Sequence, residues 1–225
     1  MTDIVFIAPN NHSVTYQGLA SAGLSAVEPP TWALLLSESM RSKGYNVAIV
    51  DTLAEGLSDA QLEVRVQKLQ SRILCFVVYG QNVNAGTTSM GGAVRQAAHL
   101  KSKMLNSPIV LIGSHVQALP YETLEKEPSL DIVVLNEGVK AIEALLALES
   151  FEKESLEAVP GIMFRSDGEV FSGRVPLSIN QEALECELPG YAWDLLPYKS
   201  QPLDLYRSPT WHADYIDEFR TPYAA

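Results

Sequence analysis

Short apolar segments alternate with segments of helical periodicity over the first 150 residues, and this alternation constrains the fold more than any other feature. The apolar segments are rich in β-branched residues and flanked by turn residues, which is typical of strands buried on both faces. They lie at residues 4–8, 47–50, 73–79, 109–112 and 132–135. Because parallel strands need crossover connections, this order predicts a parallel sheet with helices on both faces.

The segments between these strands carry helix signals. Trp32, Leu36 and Met40 fall on one helical face, and Gly44 stands where that helix would end. Ser58 and Gln61 have the spacing of a capping box before a second helix. Five strands in this rhythm predict a flavodoxin-like, doubly wound α/β domain over residues 1–150, whose ligands would bind beyond the carboxyl ends of the strands.

The pattern changes after about residue 150. Residues 161–165 and 169–172 flank a Ser-Asp-Gly turn, which predicts a β-hairpin that extends the same domain over residues 151–175. Residues 176–225 are rich in Pro, Tyr and Trp and predict an extended linker. Because so many aromatic and aliphatic groups would otherwise be exposed, we expect this linker to dock on a neighbouring surface.

Composition excludes several classes of protein. With 16 Lys+Arg against 27 Asp+Glu, the net charge of −11 repels phosphate backbones, so no nucleic-acid partner is expected. No apolar run is long enough to span a membrane and no basic segment precedes the first strand, which together predict a cytoplasmic protein without a membrane partner. Neither GxxxxGK[ST] nor GxGxxG is present, which removes the main support for ATP or NAD binding.

Long connections at the carboxyl edge of the predicted sheet suggest a ligand site. Residues 80–92 form a predicted loop of small, uncharged side chains that suits a large neutral ligand better than bond-breaking chemistry. Its residues offer no acid, base or paired nucleophile, and the four histidines lack metal-ligand spacing, so no catalytic residue and no protein metal ligand are predicted. A flavin remains an alternative ligand, since flavodoxin-like folds can hold one.

Two motifs resemble a known family. GSHVQALP at residues 113–120 and DIVVLNEG at residues 131–138 are similar to the GGxHxxxxP and D-hydrophobic-GEG patterns of cobalamin-binding domains in cobalamin-dependent radical S-adenosylmethionine enzymes, of the class B methyltransferase type. Residues 160–165 resemble the hairpin after that sheet, and residues 188–197 resemble the linker to the radical enzyme's barrel. Ser114 and Asn136 stand where the family pattern has glycine.

The resemblance implies that the domain holds cobalamin base-off, with the nucleotide tail threaded into the sheet and the corrin over the strand ends. No DxHxxG follows the first strand, so His12 is not expected to coordinate cobalt. The residues that the resemblance assigns to cobalamin are Tyr79, Gly80, Gln81, Asn82, Thr87, Thr88, Ser89, Gly113, Ser114, His115, Asn136, Glu137 and Gly138.

The resemblance also implies a larger parent enzyme with a [4Fe-4S] cluster and S-adenosylmethionine in a C-terminal radical barrel, which would transfer a methyl group to a radical-activated substrate. The CxxxCxxC cluster motif is absent from these residues, so the barrel is expected as a missing partner. Two alternatives stay open: a stand-alone cobalamin carrier or sensor, and a flavodoxin-like domain that binds another small ligand.

Overall fold

The computed structural model describes residues 2–10, 27–79, 83–103, 106–197 and 206. Of residues 83–88 it describes the backbone only. Its described strands form one seven-stranded sheet in the order β2-β1-β3-β4-β5-β6-β7. The first five strands are parallel, and the last two are antiparallel. The strands are β1 Thr2–Ala8, β2 Val47–Asp51, β3 Ser71–Val78, β4 Ile109–Gly113, β5 Ile132–Val134, β6 Ile162–Ser166 and β7 Glu169–Ser172.

Helices connect the parallel strands as the alternation predicts. Ser58 and Gln61 form the predicted capping box, and Gly44 adopts a φ of +89° just after the first helix. No helix in the described ranges combines the length and apolarity needed to cross a bilayer. The helices are α1 Thr31–Ser42, α2 Asp59–Leu69, α3 Val83–Lys101, α4 Ser114–Ala118, α5 Pro120–Lys126, α6 Val139–Ala147 and α7 Lys153–Glu157.

The sheet separates two apolar cores. Along β1, Ile4 and Phe6 face one core and Val5 and Ile7 face the other, as side chains in a strand must alternate between faces. Helices α1 and α6 cover the first core, and α2, α3 and α5 cover the second. Cys75 is buried in the first core as a free thiol.

The loop predicted over residues 80–92 is wrong for most of its length, because α3 begins at Val83. Glycine lowers helix propensity by about 1 kcal/mol per residue, and three glycines within the first ten residues of α3 made this part of the sequence resemble a loop. Packing outweighs that cost, since Met90, Ala93 and Ala97 of the same helix are buried against the sheet. The motif at residues 113–120 contains a short helix, α4.

The hairpin β6–β7 extends the parallel sheet. Strand β6 pairs antiparallel with β5, and Asp167 and Gly168 form the turn with φ values of 50° and 83°. Two residues with positive φ are what a tight type I′ hairpin needs, and Asp-Gly supplies them at low cost. The α/β fold predicted from the sequence, a five-stranded parallel sheet followed by a hairpin, is therefore confirmed.

The segment after the hairpin folds back over α1 and α6; we call residues 174–197 together with Tyr206 the C-terminal strap. It contains short helical turns at Gln181–Ala183, Leu184–Glu187 and Trp193–Leu195. The backbone N–H of Ala192 donates to the carbonyl of Leu34 in α1 at 3.3 Å. Leu196 and Tyr206 are buried in the first core.

Ion pairs fasten the strap to the same two helices. Arg41 binds Asp194 through two hydrogen bonds of 2.7 and 2.9 Å. Lys43, which caps the C-terminus of α1, contacts Glu187 of the strap at 2.6 Å, and Lys140 in α6 also pairs with Glu187. These lysines depress the pKa of Glu187, chiefly through the hydrogen bond from Lys140. The strap is thus held by charges as well as by buried side chains.

The strap also reaches the end of β2 through Tyr206, whose hydroxyl donates to Asp51 Oδ2 at 2.9 Å. Asp51 is 2% exposed, and its other oxygen, Oδ1, accepts from the backbone N–H of Ala54 at 3.0 Å. Burial raises the pKa of Asp51 to about 6, against the opposing effect of these hydrogen bonds, and the nearby Glu55 raises it further.

Gly113→Ala should destabilise the fold. A Cβ at this position would lie 2.3 Å from the carbonyl oxygen of Val78, so β3 and β4 would have to separate. We expect a loss of about 1–3 kcal/mol in the free energy of unfolding, measured by urea titration. Gly91→Ala in α3 is the matched control, because its Cβ meets nothing within 4 Å and alanine favours a helix. Equal stability of the two variants would contradict this account.

Asp51→Asn should flatten the dependence of stability on pH. The pKa of Asp51 rises from 3.8 to about 6 on folding, so between these pH values the native state binds more protons than the unfolded state. Ionisation of Asp51 therefore lowers the free energy of unfolding as pH rises, by on the order of 2–3 kcal/mol at pH 7. Urea titrations from pH 4 to 8 should show this loss in the wild type and in Asp167→Asn, on the exposed hairpin turn, but not in Asp51→Asn.

Candidate cofactor site at the carboxyl edge of the sheet

The five parallel strands end level with one another. Ala8 of β1 pairs with Asp51 of β2, Val78 of β3 pairs with Gly113 of β4, and β5 ends beside β4 at Val134. This alignment brings the residues that follow each strand to one edge of the sheet. The described members of the predicted site, namely Tyr79, Ser89, Gly113, Ser114, His115, Asn136, Glu137 and Gly138, lie at this edge or on the helices that start there.

Tyr79 is the centre of a polar group that links three elements. Its hydroxyl lies 3.2 Å from the carbonyl oxygen of Asn136, just after β5. The side-chain amide of Gln117 in α4 donates to the Tyr79 hydroxyl at 2.5 Å and to the Asn136 carbonyl at 2.7 Å. The Tyr79 ring packs on Trp32 with centroids 5.1 Å apart. Burial raises the pKa of Tyr79 to about 12, so this phenol stays neutral.

Two buried polar atoms beside this group have no hydrogen-bond partner within the described part of the chain. They are Ser114 Oγ, at the start of α4, and Trp32 Nε1, in the first turn of α1. A buried donor or acceptor without a partner costs roughly 1–3 kcal/mol. Both lie at the carboxyl edge, and a bound ligand with hydrogen-bonding groups would supply the missing partners.

The glycines of the two family motifs have contacts inside the protein. A Cβ on Gly138 would lie 2.3 Å from Ile112 Cδ1, and this residue has a φ of +81° at the start of α6. Asn136 also has a positive φ, of 55°, which asparagine tolerates better than most residues. These positions are therefore explained by strand packing and turn geometry, and their contact with a ligand stays a prediction.

Glu137 reaches the edge but binds the strap. Its Oε1 accepts from the backbone N–H of Ile179 at 2.8 Å. His115 is half-buried in α4, and Ser89 is half-buried in α3. Thr87 and Thr88 fall within α3, but their side chains lie outside the described residues, as do Gly80, Gln81 and Asn82 entirely.

A second polar group at this edge was missed by the sequence reasoning. Gln96, fully buried in α3, hydrogen-bonds Thr52 Oγ1 at 3.2 Å and accepts from the backbone N–H of Asn10 at 3.4 Å. Thr52 in turn donates to the carbonyl of Ala8 at 2.8 Å. A polar residue on the buried face of α3 was the signal available for Gln96. Gln117 lies within the motif at residues 113–120 and Asp51 directly follows the predicted strand at residues 47–50, but neither was assigned to the ligand.

The side chains at this edge are mostly neutral and polar. Within the described ranges, no group of three or more His, Cys, Asp or Glu side chains is placed to hold a metal ion. His99, on α3, instead pairs with Glu63 of α2 at 2.9 Å. The Tyr79–Gln117–Asn136 group is uncharged and offers both donors and acceptors, which suits a neutral polar ligand.

Comparison with known proteins finds two related enzymes in sequence. An anaerobic magnesium-protoporphyrin IX monomethyl ester cyclase from Cereibacter sphaeroides is 23% identical over 172 residues, which cover 75% of this chain and 26% of that protein. The cyclase of the same name from Synechocystis is 26% identical over 173 residues, covering 76% of this chain and 32% of that protein. No family model matches the chain.

A solved structure shares the fold. It is the apo, selenomethionine-labelled form of OxsB, a cobalamin-dependent S-adenosylmethionine radical enzyme, with a TM-score of 0.59 and 19% identity. The match covers 89% of this chain and 25% of that chain, so this chain spans about a quarter to a third of the proteins it matches. The resemblance predicted from the motifs is confirmed: this chain is similar to one region of proteins that include a cobalamin-dependent S-adenosylmethionine radical enzyme.

Proposed function

We propose that this chain binds cobalamin at the carboxyl edge of its sheet, as the cobalamin-binding region of a radical S-adenosylmethionine enzyme. The observation that carries the proposal is the unpartnered Ser114 Oγ beside the neutral Tyr79–Gln117–Asn136 group. The likeness in fold to part of a cobalamin-dependent enzyme supports it. The other predicted contacts at residues 80–82 and 87–89 belong to the same proposal.

The residues at the edge fit the chemistry of cobalamin. Its nucleotide tail and the amides around its corrin are large, polar and mostly uncharged, so they need neutral donors and acceptors from the protein. Tyr79 and Gln117 supply such groups, and Trp32 Nε1 supplies a donor. Glu137 is the carboxylate of the predicted set, and its Oε1 is already used by the strap. When bound, cobalamin would supply a cobalt centre able to carry a methyl group.

The activity of a longer protein is a further proposal. We infer methyl transfer to a radical-activated substrate, with a [4Fe-4S] cluster and S-adenosylmethionine supplied by a C-terminal barrel. The sequence relatives carry the name of a cyclase, so cyclisation is the other reaction that an assay must test. We further propose that residues 1–150 hold the cofactor, residues 151–175 extend the sheet and residues 176–225 lead to the barrel. Exposed Tyr191 and Trp193 on the strap would then face it.

Cobalamin binding should depend on Ser114. We expect the purified chain to retain hydroxocobalamin in equilibrium dialysis, and Ser114→Ala to bind it roughly 2- to 10-fold more weakly because one hydrogen bond is lost. Ser129→Ala is the matched control, since its hydroxyl is also buried without a partner in the described structure but precedes β5, at the opposite edge. If the wild type retains no cobalamin, the cobalamin proposal is wrong. If both variants lose affinity equally, the site is not at Ser114.

Bound cobalamin should be base-off with no histidine below the cobalt. The sequence has no DxHxxG after β1, and His115 is half-buried at the start of α4. Electron paramagnetic resonance of the reduced form should therefore show the same nitrogen hyperfine pattern in the wild type, His12→Ala and His115→Ala. A strong nitrogen coupling that disappears in either variant would contradict this prediction.

A further inference from the structure

The C-terminal strap touches the carboxyl edge at two separated places. Ile179 binds Glu137, which follows β5, and Tyr206 binds Asp51, which ends β2. Strands β2 and β5 are the outer members of the parallel part of the sheet, with β1, β3 and β4 between them. A ligand seated over the ends of the three inner strands is therefore flanked by strap contacts on both sides.

The contact at β2 is more deeply buried than the ion pairs that hold the strap. The Arg41–Asp194 pair is partly exposed, with Asp194 62% exposed in its side chain. Tyr206 is 1% exposed and Asp51 is 2% exposed, so their hydrogen bond is shielded from water. A shielded hydrogen bond to a carboxylate is stronger than an exposed one and costs more to break.

Asp51 also shapes the turn that follows β2. Its Oδ1 holds the N–H of Ala54 while its Oδ2 holds Tyr206, so one carboxylate joins the strap to this turn. Among the described residues, the charged group that acts on this carboxylate is Glu55, which is itself paired with Arg65 at 2.8 Å, and the neutral Tyr206 hydroxyl is its side-chain donor. Loss of the Tyr206 hydroxyl would leave a buried carboxylate with one partner fewer, which loosens the turn as well as the strap.

We propose that Tyr206 is a latch, which closes the strap onto Asp51 and so retains the ligand bound at the carboxyl edge. The ligand is cobalamin, so this inference rests on the proposed function. Release of the latch would free the turn after β2 and open one flank of the site. Retention of the ligand then depends on the position of the strap.

The test compares Tyr206→Phe with Tyr191→Phe. Both changes remove one phenol oxygen from the strap, but Tyr191 is 43% exposed and its ring lies 5.4 Å from that of Trp193, also on the strap. Two rates are measured in the 225-residue chain: hydrogen exchange of the Ala54 amide without ligand, and release of cobalamin into an excess of a cobalamin-scavenging protein. We expect Tyr206→Phe to speed both rates roughly tenfold and Tyr191→Phe to change neither.

The two readouts separate failure of the latch from failure of the proposed function. Unchanged exchange of the Ala54 amide in Tyr206→Phe would overturn the latch whether or not cobalamin binds. Faster exchange with an unchanged rate of release would overturn its role in retention. A wild-type chain that binds no cobalamin would overturn the proposed function, and the retention role with it, even if exchange at Ala54 responds as expected. Circular dichroism spectra matching the wild type establish that both variants fold.

Discussion

Five parallel strands buried on both faces determine how the rest of this molecule is arranged. An inner strand satisfies its backbone through two neighbours, as β1 does between β2 and β3, and the side chains at residues 4–7, which alternate between its two faces, are all buried. Every connection must then carry the chain back across a face of the sheet as a helix. The turns that begin these connections all lie at one edge of the sheet, and the polar residues of the candidate site lie at that edge.

Local signals made the strands and several helix ends predictable. The capping box at Ser58 and Gln61 and the Asp-Gly turn of the hairpin depend on residues a few positions apart, so the sequence contains the whole interaction. The start of α3 at Val83 was not predictable in this way. Its glycines favour a loop, and the helix exists because Ala93 and Ala97 further along it bury against β3 and β4, which no local pattern reveals.

In the candidate site, too, some residues could be predicted from the sequence and others could not. Tyr79, Ser114 and Asn136 were assigned to the ligand through the family resemblance, and they lie at strand ends, which meet at one edge of a parallel sheet. Asp51 and Tyr206 are 155 positions apart, and nothing near either residue indicates the other. Glu137 was expected to face a ligand, yet a backbone N–H from the strap reaches its carboxylate first. A polar residue at a strand end can face a ligand or another segment of the chain. Which of the two it faces depends on where distant segments pack, and this is a property of the tertiary structure.

The number of strands added after β5 decides where the chain leaves the sheet. Strand β6 starts at the carboxyl edge, beside Val134, and runs to the amino edge, where Asp167 and Gly168 turn it. Strand β7 then returns to the carboxyl edge, and the strap departs from there after Ser172. One added strand would have delivered the chain to the opposite edge, a full strand length from the candidate site. An even count keeps the exit of the polypeptide and the candidate site on the same side, so a following segment reaches the site without crossing the sheet.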